Sequence, residues 1–168
     1  HTPTRRQRQM CIRDSNKMFP NTKVNFIKDD VKYYDFKNCS LVTSIFTLQF
    51  MSMKDRENII KKIYNGLNVG GGFLFAEKLI CTNAKLQEMM TFNYYDYKRK
   101  HFEAKDIMDK ERTLRHMLKP NTWKEIKTMI LNAGFQDVQC FWSNHLFVGA
   151  LAINCLLYTS PSPRDQLQ

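Results

Sequence analysis

Several things are scarce in this chain of 168 residues, and each scarcity excludes something. No run of about 18 apolar residues occurs, so no membrane-spanning helix is expected. The beginning of the chain has no apolar core of the signal type, so no secretion signal is expected. Glycine (6) and proline (5) are too few for a collagen-like or low-complexity protein. The cysteines form no Cys-x-x-Cys pair. A zinc site or disulfide framework is therefore not expected, and reduced thiols are. His101, His116 and His145 lack the spacing of metal ligands and read as structural or surface residues. Acidic residues are in deficit, 16 against 26 Lys and Arg, for a net charge of +10. That balance favours an anionic substrate or a nucleic-acid partner.

What is present is the composition of one globular domain, 43% hydrophobic. The two ends differ from the middle. Residues 5–15 have neither helical nor strand periodicity, and the chain closes in Thr159-Ser160-Pro161-Ser162-Pro163. One DNA element accounts for both ends. The sequence atgtgtataagagacag encodes Met10-Cys11-Ile12-Arg13-Asp14, and its reverse complement encodes Cys155-Leu156-Leu157-Tyr158-Thr159. Residues 1–15 and 155–168 therefore read as translated library adapter, outside fold reasoning. Residues 16–154 read as the domain. Setting aside Arg5, Arg6, Arg8, Arg13 and Arg164 leaves 21 basic residues. Setting aside Asp14 and Asp165 leaves 14 acidic ones, so the domain still carries +7.

Within the domain, Lys23–Ile27 alternates and reads as a short strand ended by Lys28-Asp29-Asp30. Ser40–Phe50 is β-branched and aromatic, and reads as a buried strand running into a loop. Asp55–Leu67 has one apolar helical face, Ile59, Ile60, Ile63 and Tyr64. Gly66 and then Gly70-Gly71-Gly72 are expected to stop it. These glycines lack the Lys-Ser/Thr of a phosphate loop. A strand at Gly72–Ala76 completes a βαβ unit, which implies a parallel sheet. Helices follow at Ala84–Arg99 and Ala104–Leu118. Another starts at Thr122, where Glu125 three residues on makes a capping box, and stops at Gly134. Phe135–Trp142 and Leu146–Ile153 read as a closing antiparallel hairpin around Ser143-Asn144-His145.

The run Phe46-Thr47-Leu48-Gln49-Phe50 is distinctive. It is followed by Lys62-Ile63-Tyr64-Asn65-Gly66-Leu67-Asn68-Val69-Gly70-Gly71, then Glu77-Lys78, Asp96-Tyr97-Lys98-Arg99, Ala133-Gly134-Phe135 and Phe147-Val148-Gly149-Ala150. Through residues 20–153 the chain resembles the carboxy-S-adenosyl-L-methionine synthase family, a branch of the class I methyltransferases. The resemblance implies an α/β, Rossmann-like class I methyltransferase sheet, represented by strands three to seven only, with helices on both faces. It implies S-adenosyl-L-methionine as a substrate with prephenate, giving carboxy-S-adenosyl-L-methionine, phenylpyruvate and water. The product would feed the 5-oxyacetyl modification of wobble uridine in tRNA. It also implies a homodimeric cytoplasmic enzyme with no metal, no membrane and no direct nucleic-acid contact. A site for such carboxylates needs cations, and arginine holds a carboxylate with paired hydrogen bonds.

By the same resemblance Asp30 meets the adenine amino group and the Val31 amide meets a ring nitrogen, with Asp29 as the register alternative. An ordinary strand-end turn is the competing reading there. Ile45 stands where the family has asparagine at the ligand, so either its contact runs through backbone or this member binds the ligand differently. Arg112 matches the arginine on the new carboxylate; Glu111 and Arg115 are the register alternatives, and a solvated helix charge competes. Tyr94, Tyr95 and Tyr97 read as packing residues or as a cover for substrate. The rival functions are another S-adenosylmethionine-dependent methyltransferase, acting on a small molecule or tRNA, and an RNA-binding module. The Gly-rich loop after strand one falls outside the chain in this scheme. The polypeptide is therefore expected to bind S-adenosylmethionine weakly and to expose apolar sheet surface.

Overall fold

A computed structural model describes residue 25 and residues 27–155. The adapter-like ends fall outside these residues except for Cys155, and so does most of the expected strand Lys23–Ile27. The chain divides into two units between Tyr34 and Asp35. In the first unit, Asp30 opens a tight turn: Tyr33 N–H donates to Asp30 O at 2.9 Å. Lys32 N–H donates to Asp30 Oδ1 at 3.0 Å.

The second unit is an α/β arrangement. Its elements are β1 (Cys39–Ile45), a 3-10 turn (Leu48–Phe50), α1 (Met53–Gly66), β2 (Leu67–Lys78), α2 (Ala84–Arg99), α3 (Ala104–Leu114), α4 (Trp123–Ala133), β3 (Val138–Asn144) and β4 (Phe147–Ile153). The described strands form one mixed sheet in the order β1-β2-β4-β3. β1 and β2 are parallel, joined through α1, which is the expected βαβ unit. β4 runs antiparallel to both β2 and β3, which is the expected hairpin. Four of the five anticipated strands are thus among the described residues.

Local chemistry explains the helix ends. Ser52 caps α1 by accepting Asp55 N–H at 3.2 Å. Thr122 and Glu125 form the anticipated capping box on α4. Gly134 ends that helix at φ +120°, a conformation costly for any residue with a Cβ. A Cβ there would also meet the Tyr64 ring at 2.5 Å.

The core lies on the sheet face to which alternate β2 residues point. Phe73 and Phe75 stack at 5.3 Å and are fully buried. Ile59, Ile60 and Ile63 of α1 and Ile126, Met129 and Ile130 of α4 are buried with them. Each such side chain contributes about 1.5–3 kcal/mol on leaving water. α2 and α3 pack against each other. Helices were expected on both faces; on the opposite face α2 reaches Phe147 through Tyr94, while Leu41, Ile45 and Ile153 are each more than 40% exposed.

Several boundaries depart from expectation. Gly70-Gly71-Gly72 do not stop α1. The helix ends at Gly66, where Leu67 N–H closes it onto Ile63 O and Tyr64 O. The three glycines lie inside β2 and make it bulge, since Cys39 pairs with Leu67 but Leu41 pairs with Gly72. Gly70 takes φ +78°, and a Cβ on Gly71 would sit 2.8 Å from Asn68 O. β1 was expected to be buried but is the outer strand among the described ones, and its Leu41 is 56% exposed. Phe135 precedes β3; its ring packs on Tyr64 at 5.0 Å. α3 ends at Leu114, four residues early, with turns covering 115–117.

Candidate functional site

In open α/β sheets, ligands bind beyond the carboxyl ends of the strands. β1 and β2 are parallel and end together, and antiparallel β4 starts at the same end. The register makes this concrete: Ile45 pairs with Ala76, Ala76 with Gly149, and Lys78 with Phe147. The carboxyl end of the sheet therefore gathers Ile45, Phe46, Glu77, Lys78 and Phe147.

An aromatic group stands at this end. Phe46 meets Phe147 edge-on at 5.7 Å, and Phe147 meets Tyr94 of α2 at 5.2 Å. Tyr94 and Tyr97 flank His145 of the hairpin turn at 5.5 and 5.8 Å. Lys98 Nζ lies 4.2 Å from the Tyr94 ring centroid and 2.9 Å from Glu111 Oε1. That ion pair is largely shielded, with side-chain exposures of 12% and 17%. Burial pushes the Tyr95 hydroxyl up, and the Glu111 carboxylate adds to the effect. Of the three tyrosines, Tyr94 packs on Phe147 at the strand ends, Tyr95 meets Phe92 of its own helix at 6.3 Å, and Tyr97 is 48% exposed.

Below the aromatics, the turn after β1 is held by buried polar groups. Phe46 adopts φ +51° and donates its N–H to Ala76 O at 2.8 Å. Glu77 is 4% exposed. Its Oε1 accepts Leu48 N–H at 3.1 Å and its Oε2 accepts Gln49 N–H at 2.8 Å. Gln49 Oε1 accepts Lys78 N–H at 2.8 Å. Arg56, also 4% exposed, donates to Leu48 O, Met51 O and Lys119 O. Burial pushes the Glu77 carboxyl up to about 7, against the pull of the Gln49 and Leu48 amides and of the Arg56 guanidinium. Burial likewise lowers Arg56, with Glu77 and Glu125 pulling it back.

The residues singled out from sequence fall as follows. Ile45 ends β1 at the sheet end, 52% exposed, and its carbonyl accepts the Thr47 hydroxyl at 3.1 Å. Arg112 lies on α3 with its side chain 76% exposed, ion-paired to Asp109 at 3.4 Å. Glu111 holds Lys98, and Arg115 is exposed just past α3. Asp30 and Val31 lie in the first unit, in the turn described above, where Asp30 N–H also bonds Asp29 Oδ1 at 2.8 Å. Arg56, Glu77 and Lys98 were given no site role, although Glu77 and Lys98 belong to runs that carry the resemblance. The signal for Glu77 was present: it continues the Phe73, Phe75 alternation and so places an acid on the buried face of β2. Among the described residues, no group of three His, Cys, Asp or Glu could hold a metal. No described helix is long and apolar enough to cross a membrane.

No protein-family model matches the chain. Over 146 residues it is 37% identical to a carboxy-S-adenosyl-L-methionine synthase of Staphylococcus epidermidis, covering 86% of this chain and 62% of that relative. It is 38% identical over 125 residues to the synthase of Nautilia profundicola, covering 73% of this chain and 53% of that one. A Shewanella synthase is 31% identical over 144 residues, 85% and 59% of the two chains. The chain thus spans about three fifths of the length of the curated relatives it matches. Among solved structures, apo SibL, an S-adenosylmethionine-dependent methyltransferase, superposes with TM-score 0.62 at 11% identity, over 90% of this chain and 42% of that one. Human N-acetylserotonin methyltransferase bound to SAM gives 0.54 at 15% identity, over 80% and 34%. At those identities the likeness is one of fold. The chain is a homologue of the carboxy-S-adenosyl-L-methionine synthases and has part of the S-adenosylmethionine-dependent methyltransferase fold.

Proposed function

We propose that this chain is part of a carboxy-S-adenosyl-L-methionine synthase, a cytoplasmic homodimer whose reaction joins S-adenosylmethionine to the carbon dioxide leaving prephenate. The observation that carries this reading is the 37% identity along 86% of the chain. In this scheme Asp30 and the Val31 amide meet the adenine, one as acceptor and one as donor. Ile45 has no polar side-chain atom, so it serves the ligand through backbone at the end of β1. Arg112 receives the new carboxylate, with Arg115 as the register alternative. Its present partner Asp109 is exposed and weakly held, so exchange for a ligand carboxylate costs little. Water must be kept from a reactive sulfonium carbanion, and the aromatic group of Phe46, Tyr94 and Phe147 supplies apolar cover at the strand ends. The product serves wobble-uridine modification, and the enzyme itself handles small molecules.

The test is an assay of the full-length enzyme with S-adenosylmethionine and prephenate. The expected product is a sulfonium heavier than S-adenosylmethionine by one carbon dioxide. Replacing Arg112 with Ala should lower the rate at least about tenfold, the worth of one charge-assisted hydrogen bond, while leaving stability nearly unchanged. Loss on Arg115→Ala instead would move the role to Arg115. Methyl transfer without carboxylation would favour the second reading, an ordinary methyltransferase, which the fold likeness alone supports.

A further inference from the structure

We infer that Glu77 is a positioning residue: its two carboxylate oxygens hold the Leu48 and Gln49 amides and so fix the turn through which β1 reaches the ligand. The geometry is specific. Each oxygen takes one backbone N–H, at 3.1 and 2.8 Å, from consecutive residues of the 3-10 turn. The same turn is bound from its other side. Arg56 Nε donates to Leu48 O at 3.1 Å, and Lys119 N–H donates to Gln49 O at 2.7 Å. The Gln49 side chain then reaches back to Lys78 N–H, the residue after Glu77. The turn begins at Phe46, whose positive φ follows directly on Ile45. A strained residue beside a candidate ligand contact holds its shape only where surrounding bonds over-determine it. Glu77 supplies two of those bonds from the neighbouring strand.

A carboxylate can accept both amides; a protonated carboxyl presents a hydroxyl to one of them and loses that bond. The turn should therefore be tight when Glu77 is ionised and looser when it is neutral. The charged groups that bear on this carboxyl are Arg56 from α1 and, through Arg56, Glu125 from α4. Lys78 on the same strand and Lys119 before α4 engage the turn through their backbones. Arg56 favours the ionised form and burial opposes it.

The structural half of this inference stands alone; its functional half rests on the ligand lying at the carboxyl ends of β1 and β2. The first arm follows the Leu48 and Gln49 amide resonances of the intact, unsubstituted chain as pH is varied. Both should titrate together with a midpoint near 7, tracking the Glu77 carboxyl carbon. Amide shifts that stay flat while that carbon titrates would overturn the inference. The second arm compares wild type, Glu77→Gln and Glu77→Asp in the full-length enzyme. Glu77→Gln should speed hydrogen exchange at Leu48 and Gln49, leave Ile130 protected, and raise KM for S-adenosylmethionine more than it lowers kcat. It should also flatten the acid limb of the pH profile, with partial rescue by Glu77→Asp. Normal KM and an unchanged pH profile in Glu77→Gln, in an enzyme whose wild type is active, would sink the functional half. An inactive wild type would instead sink the synthase reading and leave the amide titration to decide the rest.

Discussion

At the scale of single residues, buried Glu77 makes the stability of the fold depend on pH. Glu77 has an ordinary value of 4.5 and is pushed to about 7 in the folded chain. The folded state therefore binds more protons than the unfolded state between these two values, and the slope of stability against pH is negative there. Its contribution is fully present below about 4.5, fades as pH rises, and is gone above about 7. The full swing is of the order of 3 kcal/mol. Urea unfolding of wild type and Glu77→Gln across this range should show the decline in the first and a flatter curve in the second. Parallel curves would mean that Glu77 does not titrate there. This residue was half-legible in the sequence. The alternation Phe73, Phe75, Glu77 marks a buried acid, but its partners lie 28 and 29 residues earlier at Gln49 and Leu48, and no local pattern joins them. The Lys98–Glu111 pair escaped for the same reason, since it links two different helices.

At the scale of elements, the caps carry a measurable share of stability. Thr122→Ala removes the capping box of α4 and should cost about 1 kcal/mol. Gly134→Ala should cost more than that, because it combines a positive φ with a collision on the Tyr64 ring. Chemical denaturation reads both; an unchanged midpoint for Gly134→Ala would contradict the packing described around Tyr64. Elements with strong local signals were read well from sequence. α2 matches its expected bounds, Ala84–Arg99, and α4 starts at its capping box. The βαβ unit and the hairpin were legible because periodicity and turn chemistry are local. What local chemistry does not specify was misread. Gly70-Gly71-Gly72 looks like a helix stop, yet the last turn of α1 closes on Leu67, and the glycines serve a bulge set by β1 and by Asn154, whose backbone bonds them. β1 has the composition of a buried strand, but burial depends on what covers it.

At the scale of the whole molecule, the sheet is lopsided. One face is sealed by α1 and α4, while Leu41, Ile45 and Ile153 stand exposed along the other. Register places these three on the face of Gly72 and Ala76, opposite Phe73 and Phe75. Exposed apolar side chains on one sheet face invite association. The purified chain should bind an apolar dye strongly and self-associate with rising concentration, and it should bind S-adenosylmethionine weakly by calorimetry. Micromolar affinity would show that this chain alone completes the nucleoside site.

The central claim is the chemistry assigned to the family resemblance. It is tested most directly by giving the full-length enzyme S-adenosylmethionine and prephenate isotopically labelled at the carboxylate that departs as carbon dioxide. The account predicts that the label appears in the sulfonium product, in step with phenylpyruvate release. An unlabelled product, or a methyl group moved to another acceptor, would contradict it.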